Sequence, residues 1–163
     1  MQGVCVTGGE PLASQGVEEL FREIKGLGYA AKLDTNGTFP DRLQGLVAQG
    51  LVDYVAMDVK NAPASYGATV GLPGFDPAPV LRSAAFLLSG AVEYEFRTTV
   101  VDELHTEADF EAIGRWLAGA KRYFLQGFVD SGNLVGQGMH AASKERMERF
   151  RQILLPLIPA VEI

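Results

Sequence analysis

The chain has one cysteine, Cys5, in 163 residues. A single thiol excludes a disulfide framework, and it excludes a zinc or iron-sulfur site built from several thiolates of this chain. Clustered basic charge is also missing: no block of five or six Lys or Arg occurs, and 14 basic against 20 acidic residues leave a formal net charge of -6. Binding a phosphate backbone requires clustered Lys and Arg to displace counterions, so nucleic acid is not an expected partner. The longest apolar runs, such as Ala84 to Leu88 and Ile153 to Ile158, fall well short of the roughly 20 residues that cross a bilayer. No basic segment followed by an apolar one opens the chain, so the reading is cytoplasmic with no membrane partner. The apolar content is 47% against 21% charged, enough for a sizeable core, and residues 1–163 read as one domain.

Apolar runs alternate with helical spacing along the chain. Met1 to Val6 reads as a buried strand running into Thr7-Gly8-Gly9-Glu10-Pro11, and Val17, Leu20, Phe21, Ile24 and Leu27 then fall on one helix face that stops at Gly28. Ala30 to Leu33 is a strand ending at Asp34-Thr35-Asn36-Gly37. A helix carrying Leu43, Leu46 and Val47 follows, and Val52 to Val59 is a strand ending around Asp58 and Lys60. Residues 61–79, rich in Pro and Gly, read as a loop over the sheet. Asp76 and Pro77 cap a helix through Leu88, Val92 to Val101 is a strand, and Thr106-Glu-Ala-Asp109 fits a capping box. Beyond it come a helix with Phe110, Ile113, Trp116 and Leu117, a strand from Tyr123, a Gly-rich loop, a helix from about Ser143, and a strand stub at Val161. Near-continuous apolar strands alternating with helices predict a parallel α/β sheet, either doubly wound or a complete or partial (β/α) barrel. Both architectures place function at the carboxyl ends of the strands.

Polar residues gather at those ends. Gly8-Gly9 lets backbone approach a ligand closely and Glu10 adds a carboxylate. Asp34 and Asp58 suit an ammonium, a ribose hydroxyl or a hard cation, whereas Lys60 and Arg97 suit a carboxylate, so the set fits a zwitterionic amino acid joined to a sugar.

Val6-Thr7-Gly8-Gly9-Glu10-Pro11-Leu12, Lys32-Leu33-Asp34-Thr35-Asn36-Gly37-Thr38, Asp53 to Lys60 with its Met57-Asp58-Val59-Lys60 end, and Glu93 to Val101 followed by Leu104-His105-Thr106-Glu107 occur in that order. In this the chain resembles the radical S-adenosylmethionine superfamily, and within it the activases of glycyl-radical enzymes, the anaerobic ribonucleotide reductase activating type above all, with the pyruvate formate-lyase activases as near relatives. The resemblance implies a partial (β/α)6 barrel, here truncated before its second strand. It implies reductive cleavage of S-adenosylmethionine at a 4Fe-4S cluster, a glycyl-radical enzyme as partner, and an electron donor such as flavodoxin or ferredoxin. Gly8, Gly9 and Glu10 match the loop at the methionine amino group, while Asp34, Asp58, Lys60 and Arg97 match polar residues around the cofactor. Asp34, Thr35 and Asp58, with a carbonyl near Ala56, resemble a monovalent-cation site. Two departures stand out. The C-x3-C-x2-C motif of the cluster is absent, so the chain as given is expected to be inactive, and Phe128 stands where pyruvate formate-lyase activases carry a His. The alternatives are a 7-carboxy-7-deazaguanine synthase-like enzyme, which shares the Gly-Gly-Glu-Pro loop, and a non-catalytic binding module.

The remaining features have plainer readings. Cys5, among Val residues, is expected to be a buried core thiol, and Trp116 is expected in the core. His105 and His140 read as surface or capping residues. Glu18, Glu19, Glu23 and Lys25 form a solvated helix face, as does the run Lys144, Glu145, Arg146, Glu148 and Arg149. A first strand at the sheet edge, Gly3 to Val6, invites self-association.

Overall fold

A computed structural model describes residues 2–129 and 138–163. Met1 and the part of the expected Gly-rich loop in residues 130–137 lie outside the described residues. Six strands, β1 (Gly3–Val6), β2 (Ala30–Thr35), β3 (Tyr54–Asp58), β4 (Glu93–Val100), β5 (Tyr123–Gly127) and β6 (Val161–Glu162), form one sheet in that sequential order. The pairs β1–β2, β2–β3, β4–β5 and β5–β6 are parallel. Doubly wound sheets reverse their strand order at a switch point, whereas this order never turns back and is that of a (β/α) barrel. The helices are α1 (Val17–Gly26), α2 (Pro40–Ala48), α3 (Tyr66–Thr69), α4 (Ala78–Leu88), α5 (Glu107–Trp116) and α6 (Lys144–Leu154). No helix among the described residues is long and apolar enough to cross a membrane.

The chain divides into two compact units. The first comprises Met1–Asp58 with Asp76–Glu95, the second Val59–Phe75 with Phe96–Ile163. In the first, the β1–β2–β3 register aligns Cys5 with Lys32 and Tyr54, and Asp34 with Ala56. Alternation then separates two faces. Leu33, Thr35, Val55 and Met57 are buried on one face, while Lys32, Asp34, Tyr54 and Asp58 are half-exposed on the other. Phe21 of α1 and Leu43 of α2 have no exposed surface, and full burial of each such side chain stabilises by about 1.5–3 kcal/mol. Leu20 and Leu27, expected on the same apolar face, are instead 44% and 75% exposed. The α1 helix buries only Val17, Phe21 and Ile24, a stripe too narrow to include them. The Lys25 ammonium reaches Asp53 at 2.7 and 2.8 Å, and Asp53 also accepts from the Ala31 N–H at 2.7 Å. That part of the expected solvated face is therefore tied to the sheet. Burial raises the Asp53 carboxyl pKa, but the hydrogen bonds from Lys25 and Ala31 and the Lys25 charge together hold it below its ordinary value.

In the second unit, Phe110 of α5 stacks on Phe150 of α6 at 4.3 Å between centroids. Thr106 and Asp109 form the expected capping box. The segment expected to be only a loop contains α3, whose Tyr66 is 2% exposed and stacks on Phe75 at 5.3 Å. Burying that aromatic pair gives a Pro- and Gly-rich stretch a fixed conformation. In the first unit, Asp76 accepts from the Ala78 N–H at 2.9 Å, the expected capping contact, and α4 runs from Ala78 with Pro77 just before it. Arg146, expected to be solvated, bonds Asp102 at 2.8 Å and the His105 carbonyl at 2.6 Å, and Arg149 pairs with Glu107 at 3.2 Å. Trp116, at the end of α5, is only half-buried.

Candidate functional site

In the first unit the loop after β1 is organised around Glu10. Its carboxylate accepts from the Leu12 N–H at 3.0 Å, from the Thr35 hydroxyl at 2.9 Å and from the Asn36 N–H at 2.6 Å. These bonds draw the Gly-Gly-Glu loop onto the end of β2. Glu10 thus shapes the loop through three groups of its own chain. The loop's free polar surface is backbone: Gly8 and Gly9 adopt φ of 100° and 54°, and a Cβ built at either meets nothing within 4 Å. That conformation favours glycine and leaves room for a ligand against the main chain.

The turn after β2 is equally tied. Thr35 accepts from the Gly37 N–H at 3.1 Å, Asn36 Oδ1 accepts from the Thr38 N–H and hydroxyl at 3.0 and 2.7 Å, and Ser83 donates to the Gly37 carbonyl at 2.7 Å. Gly37 has φ 78°, and a Cβ there would run into the Met57 methyl group. The structure brings Asp34 and Asp58 onto one face of the sheet through the β2–β3 register, with Thr35 on the opposite, buried face. The three expected cation ligands therefore do not converge through their side chains. Instead, the Lys32 ammonium lies 3.5 Å from Asp34 and 3.4 Å from Glu95, whose other oxygen accepts from the Tyr54 hydroxyl at 2.8 Å.

In the second unit, the Val59 N–H donates to the Arg97 carbonyl at 2.7 Å, which sets the backbone just before Lys60 beside Arg97 in β4. The backbone of Lys60 is held on both sides: its N–H donates to the Tyr66 hydroxyl at 3.2 Å, and its carbonyl accepts from His105 Nε2 at 2.9 Å. His105 corrects the sequence reading, because it is 1% exposed and clamps the Lys60 backbone from inside. A carbonyl can only accept, so Nε2 carries the proton, while Nδ1 lies 3.1 Å from both the N–H and the carbonyl of Val101. Nothing in the local sequence announced this, since capping boxes commonly follow exposed residues. Beneath it, the Thr98 hydroxyl donates to the Val59 carbonyl at 2.6 Å and receives the Tyr123 hydroxyl at 2.6 Å. Burial pushes the Tyr123 phenol far up, so it remains a donor.

Cys5 is exposed rather than buried. Its strand is at the sheet edge, and alternation turns the thiol to the same face as Lys32 and Tyr54. Among the described residues no group of three or more His, Cys, Asp or Glu could hold a metal ion. His140 is exposed as expected, paired with Glu103 at 2.5 Å. The hydrogen bonds and charge of that partner raise the imidazole pKa, and bonding to His140 lowers the Glu103 carboxyl.

This sheet order is a radical S-adenosylmethionine activase-like fold. The chain is 33% identical over 129 residues to a protein of Methanocaldococcus jannaschii provisionally named a glycyl-radical enzyme activating enzyme, covering 77% of this chain and 54% of that one. It is 31% identical over 139 residues to an S-adenosylmethionine-dependent heme synthase of Nitratidesulfovibrio vulgaris, covering 82% of this chain and 36% of that one. The chain thus spans about half or less of these curated relatives. A solved domain of a pyruvate-formate lyase-activating enzyme from Bacteroides vulgatus superposes with a TM-score of 0.79 at 16% identity, covering 100% of this chain and 99% of that one. No family model matches the chain.

Proposed function

We propose that this chain is the S-adenosylmethionine-holding part of a glycyl-radical enzyme activase. The observation that carries the reading is the half-buried pair Asp34 and Asp58 on one sheet face, with the Gly8-Gly9 backbone drawn to the end of β2 by Glu10. Gly8 and Gly9 present main chain to the ligand's amino end, and Glu10 fixes the loop that does so. Asp34 and Asp58 accept from ammonium or ribose hydroxyls. Lys60 and Arg97 supply charge for a carboxylate, and His105 holds the backbone of Lys60. In a whole activase, a reduced 4Fe-4S cluster beside S-adenosylmethionine held here would supply the reductive radical chemistry that the partner's glycine requires. The residues present do not fit the cluster itself, because the chain has one thiol and a cluster needs several. No step of the radical chemistry is therefore assigned to this chain. The partner glycyl-radical enzyme and a flavodoxin- or ferredoxin-type electron donor belong to the reaction of the whole activase.

The single cysteine favours one second reading, in which the chain binds the nucleoside without cleaving it. Anaerobic reconstitution with iron and sulfide tests both. The chain alone should show no stoichiometric cluster absorbance and no cleavage, yet it should bind S-adenosylhomocysteine. A stable cluster with turnover would overturn the assignment of the cluster to residues other than these.

A further inference from the structure

We infer that Arg42 is a positioning residue of the Gly8-Gly9 loop, whose guanidinium holds the far end of the segment that Glu10 holds at its near end. Gly8 and Gly9 carry no side chain, and a Cβ at either would meet nothing within 4 Å, so on the side away from β1 they are placed by the chain that follows. That chain is the 3-10 turn Pro11–Ala13. Its own bonds run from the Ala13 N–H to the Glu10 carbonyl and from the Ser14 N–H to the Pro11 carbonyl, both at 3.0 Å. The carbonyls beyond them find no partner inside so short a turn. Arg42, in the first turn of α2, supplies one: Nη1 donates to the Leu12 carbonyl, and Nη2 donates to the Ser14 carbonyl at 2.6 Å. A planar fork bonded to two carbonyls fixes their separation as well as their position, which a lysine ammonium does not do.

Leu12, which is 0% exposed, is thus held at both of its peptide groups, the N–H by Glu10 at 3.0 Å and the carbonyl by Arg42. The two fastenings run in opposite directions. Glu10 reaches from the loop to Thr35 and Asn36 at the end of β2, and Arg42 reaches from the helix after that turn back to the loop, so loop and turn close into one ring within the first unit. A surface ion pair does not account for Arg42. It lines a cavity of about 290 Å³ with Glu18 and Asp41, yet those carboxylates pair with Arg22 and Arg82, and both guanidinium bonds of Arg42 go to main chain. Only the identity of the ligand at Gly8 and Gly9 rests on the S-adenosylmethionine reading.

The experiment titrates S-adenosylhomocysteine into wild type, Arg42→Met, Arg42→Lys and Leu46→Ala, with thermal melting and with amide exchange at Leu12, Ala13 and Ser14 measured on each. Leu46→Ala is the structural control, because it truncates a side chain of the same helix that is 3% exposed and offers the loop no hydrogen bond. Arg42→Met should melt roughly 5 °C below wild type, exchange faster at the three amides, and bind roughly tenfold more weakly. Leu46→Ala should melt at least as low yet keep wild-type affinity. Arg42→Lys, with the charge but without the fork, should fall between wild type and Arg42→Met in affinity and in exchange. Wild-type affinity in Arg42→Met would overturn the inference, and so would an equal loss of affinity in Leu46→Ala. If Arg42→Met does not fold, wild-type affinity and exchange in Arg42→Lys would overturn it. If wild type itself binds no S-adenosylhomocysteine, the ligand reading fails, while unchanged amide exchange in both Arg42 variants would still count against Arg42.

Discussion

Replacing Glu10 should damage the candidate site by unfastening its loop. The carboxylate holds two backbone N–H groups and one hydroxyl at 2.6–3.0 Å. Hydrogen bonds to a charged acceptor contribute about 1.5–3 kcal/mol when well covered. Glu10 is half-exposed, and water replaces part of what is lost, so about 1 kcal/mol per bond is the appropriate scale. Glu10→Ala should then destabilise by about 3 kcal/mol, or a fall of roughly 10 °C in melting temperature for a chain of this size. Glu10→Gln keeps the shape and one acceptor oxygen but turns an N–H group toward one of the three donors, so it should cost about 1–2 kcal/mol. Urea unfolding followed by circular dichroism reads both values, and amide exchange at Leu12 and Asn36 should accelerate in each variant. If Glu10→Ala lies within about 0.5 kcal/mol of wild type and leaves S-adenosylhomocysteine binding intact, the clamp argument is wrong.

Other perturbations test separate joints. Gly37→Ala should destabilise by at least 2 kcal/mol or so, because φ of 78° and the Met57 methyl both oppose a side chain; Met57→Ala in the same background should relieve the steric part, as urea midpoints will show. The Asp53 carboxyl is held below its ordinary value, so its contribution is present above the unfolded pKa and lost as pH falls through the folded one; Asp53→Asn should flatten the acid limb of the stability curve. The Glu103–His140 pair has opposite signs at its two ends. Its imidazole is raised, so that contribution is present at low pH and lost as pH rises through the folded pKa, and titration of the His140 ring by NMR in Glu103→Gln should show the pKa fall. His105→Phe should leave the Lys60 carbonyl without its donor and weaken S-adenosylhomocysteine binding more than it lowers the melting temperature.

The strand-helix alternation was legible because each strand is a short apolar run and each helix has its own stop or start signal, as at Gly28, Thr106 and Ser143. The Gly8-Gly9-Glu10 and Asp34-Thr35-Asn36-Gly37 segments were legible as polar turns at strand ends, which is where the structure has them. What lies across the sheet was not. Glu10 looked like a ligand group because its three partners include residues 25 and 26 positions away, and no local pattern encodes such bonds. Lys32 and Glu95 are separated by 63 positions, so the ammonium between carboxylates emerges only from strand register. Cys5 was misread because a run of Val residues signals burial whether its strand is central or at an edge. His105 was misread for the opposite reason, since its covering residue, Phe110, arrives from the following helix.

The most direct test of the central claim is the footprint of S-adenosylhomocysteine on the amide spectrum of the isotopically labelled chain. Saturable shifts should appear at Gly8, Gly9 and Glu10, at Asp34 to Gly37, and at Asp58, Lys60 and Arg97, with a dissociation constant that is micromolar at best. Asp34→Ala and Lys60→Ala should each abolish them. Absence of saturable shifts in the wild-type chain, shifts confined to other residues, or equal binding by both variants would contradict the account.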